Sequence, residues 1–371
     1  MNRIIMSFFI IFMLVLTACQ QSSEPSSKDY KQDLSQSIPQ KEESDYKPEE
    51  KNFIGNTAAN MLQGAYVAKQ GDWVYYFNGL KGIVKRNDIT GETKEVTTTV
   101  GHQISVLGDY IYFIRDIGND NLGELWKIRT DGEELSMVAE GLFCDRGEYL
   151  YNAFYGVVDD KIYFAQDIRQ TNGDIKRFLC KMNLDGMESE PIIEAVSFLG
   201  ATETHLFFRD YDDQNNRDLV KALPLDGGSK DFISFLCAYS VLGEAIKKPF
   251  SDDTYPYCNM NKDFSITGDT LYFYRNATFV KAQADNSDQF TSIDDIYLGY
   301  PTMNVYNETL FTLKDGLVKI KLQTREVTQI NGSNAYNINI VDDKWIYYRD
   351  RDGFHRVGQD GTDWEQLANK I

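Results

Sequence analysis

The side chains best suited to chemistry in this sequence are carboxylates, and they come in short runs. Asp116 with Asp120, Asp167, Asp210 with Asp212, and Asp350 each follow a few residues after an aromatic segment. Such groups could bind a cation, hydrogen-bond a glycan, or serve as an acid and base pair. The stretch from Asp210 offers oxygens at Asp210, Asp212, Gln214 and Asn216, which is how a calcium loop begins. It lacks the sixth-position glycine and the distal glutamate, so a Ca2+ site competes here with solvated hairpin tips. In a chain with 56 acids, proximity of two carboxylates discriminates little. His102, His205 and His355 show no metal-ligand spacing, and the last two fall inside aromatic strands where packing explains them. No nucleophile elbow, phosphate loop, CxxC or HExxH occurs, so neither a catalytic residue nor a resident metal is assigned.

Cysteine carries the most position-specific signal. An apolar run from Ile4 to Leu16 follows the single cation Arg3 and ends in Leu16-Thr17-Ala18-Cys19. About 13 residues fall short of the roughly 20 that a membrane-spanning helix needs, and fit the apolar core of a secretory signal. The last four residues resemble the lipobox of bacterial lipoproteins. That resemblance implies a signal peptide over 1–18, lipid on Cys19, and residence at the extracytoplasmic face of the cell membrane. Two acyl chains hold stably where one is marginal. Residues 20–52 are rich in Ser, Gln, Glu, Lys and Pro and nearly free of aliphatics. Such a segment cannot bury enough apolar surface to offset chain entropy, so 19–52 reads as a disordered tether, with a reach of about 30 Å.

Cys144, Cys180, Cys237 and Cys258 remain. An even number in an exported chain allows two disulfides in three pairings, and buried free thiols are an equal alternative. A net charge of −18 repels phosphate backbones, so nucleic acid is not an expected partner, and it equally repels anionic lipid and wall polymers.

The body of the chain, 53–371, repeats. A short aromatic strand recurs seven times: WVYYF at 73–77, YIYFI at 110–114, KIYFA at 161–165, HLFFR at 205–209, TLYFY at 270–274, TLFTL at 309–313 and WIYYR at 345–349. Each is followed by a strand with a base near its middle: Lys85, Lys127, Lys181, Lys221, Lys281, Lys319 and Arg356. That base reads as a solvated outer-strand residue or an inter-blade hydrogen-bond donor, not a ligand site. A polar turn, often Asp-Gly, and a short closing strand complete the unit, and an opening strand precedes each aromatic one. Seven four-stranded units averaging about 46 residues predict an all-β, seven-bladed β-propeller. Alternation in WVYYF and YIYFI would send successive side chains to the two neighbouring blades. An opening strand near 65–69 and a closing strand near 364–367 suggest a ring closed without a strand exchanged between its ends.

The (I/L)-Y-(F/Y) strand followed by (L/V)-(W/V)-K-I-x-x-D-G resembles bacterial domains of unknown function related to the YWTD propellers of low-density-lipoprotein receptors. Gly55-Asn56-Thr57 and Gln70-Gly71-Asp72-Trp73 are similar to the start of that family. The resemblance spans 53–371 and implies an exported propeller, often on a lipoprotein, with no established activity and no catalytic residues to transfer. The Tyr-Trp-Thr-Asp tetrapeptide is absent, so a receptor-type ligand site is not implied.

Loops between second and third strands share a face with the connections between blades, and there the sequence is longest. One excess carries Cys144; the other, near 231–263, carries Cys237, Tyr255, Tyr257 and Cys258. Cys237 and Cys258 bracket it as the expected local clasp. The acidic runs and these tyrosines define the expected ligand face. The function expected is a lipid-anchored envelope module that binds a protein, peptide or glycan. The alternatives are a carbohydrate- or lactone-active enzyme with carboxylates at the central channel, and a structural member of an envelope assembly.

Overall fold

The computed structural model describes residues 54–117, 122–140, 154–195, 197–212, 217–225, 233–236, 264–275, 278–284, 286–293 and 302–369. These form 28 strands, β1–β28 in chain order, arranged as seven four-stranded antiparallel sheets. The sheets are the blades of a seven-bladed propeller: 67–97, 102–139, 154–194, 197–236, 264–293, 303–331 and 337–369. Every sheet consists of four consecutive strands, so among the described residues no strand passes from the last blade to the first. The seven aromatic segments are the second strands of the blades, as their repetition predicts.

Side-chain alternation builds the packing. In blade 1, Tyr75 and Phe77 join Ile104, Ile111 and Phe113 of blade 2, while Val74 and Tyr76 join Trp345, Tyr347 and Phe354 of blade 7. Seven such apolar clusters fill the seven junctions. A sheet buried on both faces between two neighbours needs large flat residues, which accounts for the fully buried Tyr112, Phe164, Phe207 and Tyr347. Burial pushes the Tyr112 and Tyr163 hydroxyls up to about 12, so they stay neutral.

The repeated base acts between blades. Lys85 Nζ donates to the Thr130 carbonyl 2.6 Å away in blade 2, and Lys127 Nζ to the Leu184 carbonyl in blade 3. The receiving turns contain Asp131-Gly132 and Asp185-Gly186, and their glycines lie against the carbonyls of Val96 and Val138 on the outer strand of the preceding blade. A Cβ on Gly186 would stand 2.1 Å from the Val138 oxygen. The Asp-Gly turn is therefore an inter-blade contact as well as a reverse turn.

Sequence repetition gave no hint of what fills the centre. Before β1 (Val67–Gln70) lies helix α1 (Ala58–Leu62), capped by Thr57 and buried at all five positions. It packs on the first strands of the blades, which line the channel. Ile54 pairs with Val158 at the bottom of blade 3, and Gln103 at the top of blade 2 donates to the Gly64 carbonyl. The chain thus climbs the channel as a plug, 54–66, turns at Gly64–Ala65 where both φ angles are positive, and descends as β1.

Candidate functional site

Two faces follow from this path. The lower face holds the turns joining first to second and third to fourth strands, and it is the face by which 54–66 enters the channel. The upper face holds the second-to-third hairpins and the crossovers between blades. On the upper face the ring is asymmetric. The second strands β6 (Tyr110–Ile117), β10 (Lys161–Arg169) and β14 (His205–Asp212) run to 8, 9 and 8 residues in blades 2, 3 and 4. Their counterparts in blades 1, 6 and 7 have 5. At about 3.3 Å per residue, three adjacent hairpins stand roughly 10 Å above the rest of the ring.

Asp116, Asp167, Asp210 and Asp212 lie on this raised arc. They are strand residues, not the loop residues that the sequence pattern suggested: the ladders run through them, pairing Asp116 with Gly123, Asp167 with Arg177, Asp210 with Leu219 and Asp212 with Arg217. Asp350 is set apart in blade 7. Its Oδ1 accepts from the Asp352 and Gly353 amides and from His355 Nε2 at 2.8 Å, so it caps its own hairpin. His355 is buried between Tyr348 and Trp364, ring centroids 5.2 and 5.4 Å away, which makes it a packing residue. Cys19, Asp120, Tyr255, Tyr257, Cys237, Cys258 and the 213–216 part of the calcium-like stretch lie outside the described residues. Strand Ile233–Leu236 closes blade 4, so the excursion placed at 231–263 begins only after Leu236.

Blade 4 departs from the repeat at its base. In the other blades the base pairs with the third residue of the aromatic strand, as Lys85 with Tyr75 and Lys127 with Tyr112; in blade 4 that residue is Phe207, and Lys221 pairs with Phe208, one residue further on. A one-residue slip reverses the face a side chain takes. Lys221 therefore points away from blade 5 and forms an ion pair with Asp210. Asp210 thus lies in a strand and is paired with Lys221. Among the described residues no group of three His, Cys, Asp or Glu side chains is placed to hold a metal.

Arg115, on the same arc, was not singled out by the sequence pattern. Its guanidinium lies 5.1 Å over the Trp126 ring, whose Nε1 donates to Glu124 Oε2 at 2.7 Å. Cys180 is a free, buried thiol, pushed up to about 11 by burial, so of the two readings left open it follows the buried-thiol one.

Among the described residues the channel offers no buried carboxylate. The described buried polar residues around the plug are amides and hydroxyls, including Asn56, Asn60, Gln63, Ser105, Ser265, Asn304 and Asn339, and none of the described buried residues is Asp or Glu. Asn56 and Asn60 each make four side-chain hydrogen bonds, the full capacity of an amide. Asn56 Nδ2 donates to Val67 and Ile104 carbonyls, and its Oδ1 accepts from Thr57 N and Asn60 Nδ2. Asn60 Nδ2 also donates to the Ile340 carbonyl, and its Oδ1 accepts from Ile340 N and Asn304 Nδ2.

No family model matches the chain, and no curated protein does. Solved structures match by shape. The propeller is similar to one of two prolyl endopeptidases, with TM-score 0.54 at 10% identity over 84% of this chain and 50% of that one. The chain thus spans about half the length of the prolyl endopeptidase it matches. The β-propeller domain of the trilobed protease of Pyrococcus furiosus matches at TM-score 0.49 and 11% identity, over 85% of this chain and 98% of that one. A chain of a nidogen/laminin complex matches at TM-score 0.36 and 7% identity, over 69% of this chain and 91% of that one. The likeness to the prolyl endopeptidase shows the fold alone, and the class, a seven-bladed β-propeller, rests on the sheets themselves.

Proposed function

We propose that this chain is a binding module of the cell envelope, held to the extracytoplasmic face of the membrane by lipid on Cys19 and presenting its upper face to a protein, peptide or glycan. The observation that carries the reading is the path of the chain. Ile54, where the described chain begins, lies at the lower face, while the extended strands of blades 2–4 rise on the opposite one. An anchor reaching the ring through that lower face would leave the elaborated face pointing outward. The enzymatic alternative is disfavoured because the channel, where convergent carboxylates were expected, is filled by the chain itself.

Cross-linking in intact cells tests the orientation. Envelope proteins captured by a lysine-reactive reagent should be joined through Lys176 and Lys314 on the upper face. Links concentrated on Lys161 and Lys344, in the lower turns, would reverse it. Replacing 238–262 with a short Gly/Ser linker spares strand Ile233–Leu236 and should weaken capture; unchanged capture would move the site off the excursion. Cys19→Ser should release the protein from the membrane fraction, and continued retention would remove the lipid anchor from the reading.

A further inference from the structure

Six of the seven blade junctions are crossed by the chain, which runs from the outer strand of one blade to the inner strand of the next. Among the described residues the junction between blade 7 and blade 1 is crossed by none, and no shared sheet replaces the crossover. Its described direct contacts include one apolar cluster and the ion pairs Lys69–Asp342 and Arg86–Glu365. The segment 54–66 bridges it from inside. On blade 7 it binds both backbone groups of Ile340 through Asn60, the Asn337 amide through the Gln63 carbonyl, and Asn339 Oδ1 through Tyr66 N. On the other side it binds Val67 of blade 1 and Ile104 and Val106 of blade 2, and Gly55 donates to Val157 of blade 3.

We propose that 54–66 is an internal strap and that its release opens the ring at the seam between blades 7 and 1, leaving the other six junctions shut. Ile54, at the start of the described strap, pairs with Val158 at the lower face, so a pull on Ile54 toward that face acts along the channel axis. Asn56 and Asn60 set its register, because two buried amides with every donor and acceptor satisfied tolerate no shift along the channel. The seam responds first because a chain crossover keeps the two blades of each other junction together even when their contacts loosen.

Hydrogen exchange of the full-length protein tests this. Asn60→Asp keeps the shape but replaces two donors by acceptors facing Asn56 Oδ1 and the Ile340 carbonyl. Amides of β1 (Val67–Gln70) and of the first strand of blade 7 (Asn337–Ile340) should exchange at least tenfold faster, while the third and fourth strands of blade 6 (Leu317–Lys321 and Val327–Asn331), whose apolar clusters contain no strap residue, keep their wild-type rates. Val318→Ala, a cavity between blades 5 and 6, serves as a control of comparable destabilisation and should not accelerate the seam selectively. If Asn60→Asp fails to fold, Asn304→Ala, which removes one partner of Asn60, is read the same way. Uniform acceleration, no acceleration, or the same seam-first pattern in the Val318 control overturns the proposal.

Discussion

The two faces of the ring are built under different constraints. Below, several of the described turns touch the neighbouring blade: Gly132 lies on the Val96 carbonyl, Gly186 on that of Val138, Gly361 on that of Ile330. Above, the short hairpins of blades 1, 6 and 7 close on their own outer strands, Gly82 on the Thr97 carbonyl, Gly316 on that of Asn331 and Gly353 on that of Ala368. The extended hairpin of blade 3 differs from both, because a Cβ on Gly173 at its tip would meet nothing within 4 Å. The recurrent Asp-Gly turns below couple one blade to the next, whereas the hairpins above close within their own blade or stand clear of it.

Glycine replacement tests that contrast most severely. Gly186→Ala forces a Cβ to 2.1 Å from a backbone oxygen that cannot move without shifting blade 2, at a residue with φ of +85°. Overpacking and left-handed strain together should cost about 2–4 kcal/mol. Gly173→Ala meets only the strain of φ +93° in open space and should cost about 1 kcal/mol. Urea denaturation of the two variants measures both. Equal losses would mean that the upper hairpins are as tightly coupled to the ring as the lower turns.

Acid should loosen the lower face first, at the seam. Burial alone would raise the Asp342 carboxyl, but hydrogen bonds from Lys69 and from the Lys344 and Trp345 amides outweigh it and hold the group below its ordinary value. Burial likewise opposes the Lys69 charge, and Asp342 and Asp88 overcome it, raising that ammonium. A carboxyl depressed in the folded state stabilises fully above its unfolded value near 3.8 and loses that contribution as pH falls through the lower, folded one. The matching contribution of Lys69 is complete below 10.5 and is lost as pH rises through its higher folded value. Wild type should therefore lose seam protection in hydrogen exchange below about pH 4, and Lys69→Met should flatten that dependence. An unchanged profile in the variant would detach the ion pair from the seam.

The ring was legible because its signal is periodic. Seven aromatic strands, seven bases and recurrent Asp-Gly turns each restate the same packing requirement, so local patterns and the global fold agree. The inter-blade role of Lys85 and Lys127 was among the readings that the repeat allowed. The plug was not legible for the opposite reason: it occurs once. Its trace was the pair Asn56 and Asn60, four residues apart on one helical face in an otherwise apolar stretch, behind the helix-capping Thr57. Buried asparagines outside any repeat unit ask where their hydrogen bonds go, and the answer lies as far away in sequence as Ile340. The acids of the upper face were found by type but misplaced by structure, because composition marks a hairpin without saying how far its ladder extends.

The smallest effect separates the two kinds of base. Lys85 clasps the next blade through the Thr130 carbonyl and lies 4.9 Å over the Trp73 ring, so Lys85→Met removes an inter-blade bond and a cation–π contact, about 1 kcal/mol in all. Lys221 has left that position for Asp210, where both side chains remain partly exposed. A pair of that kind contributes less than about 1 kcal/mol. A double-mutant cycle of Lys221→Met and Asp210→Asn should therefore give a coupling well under the cost of Lys85→Met. A coupling as large would show that the slipped register of blade 4 supports the ring, and that its departure from the repeat has a structural cause instead of freeing the upper face for a partner.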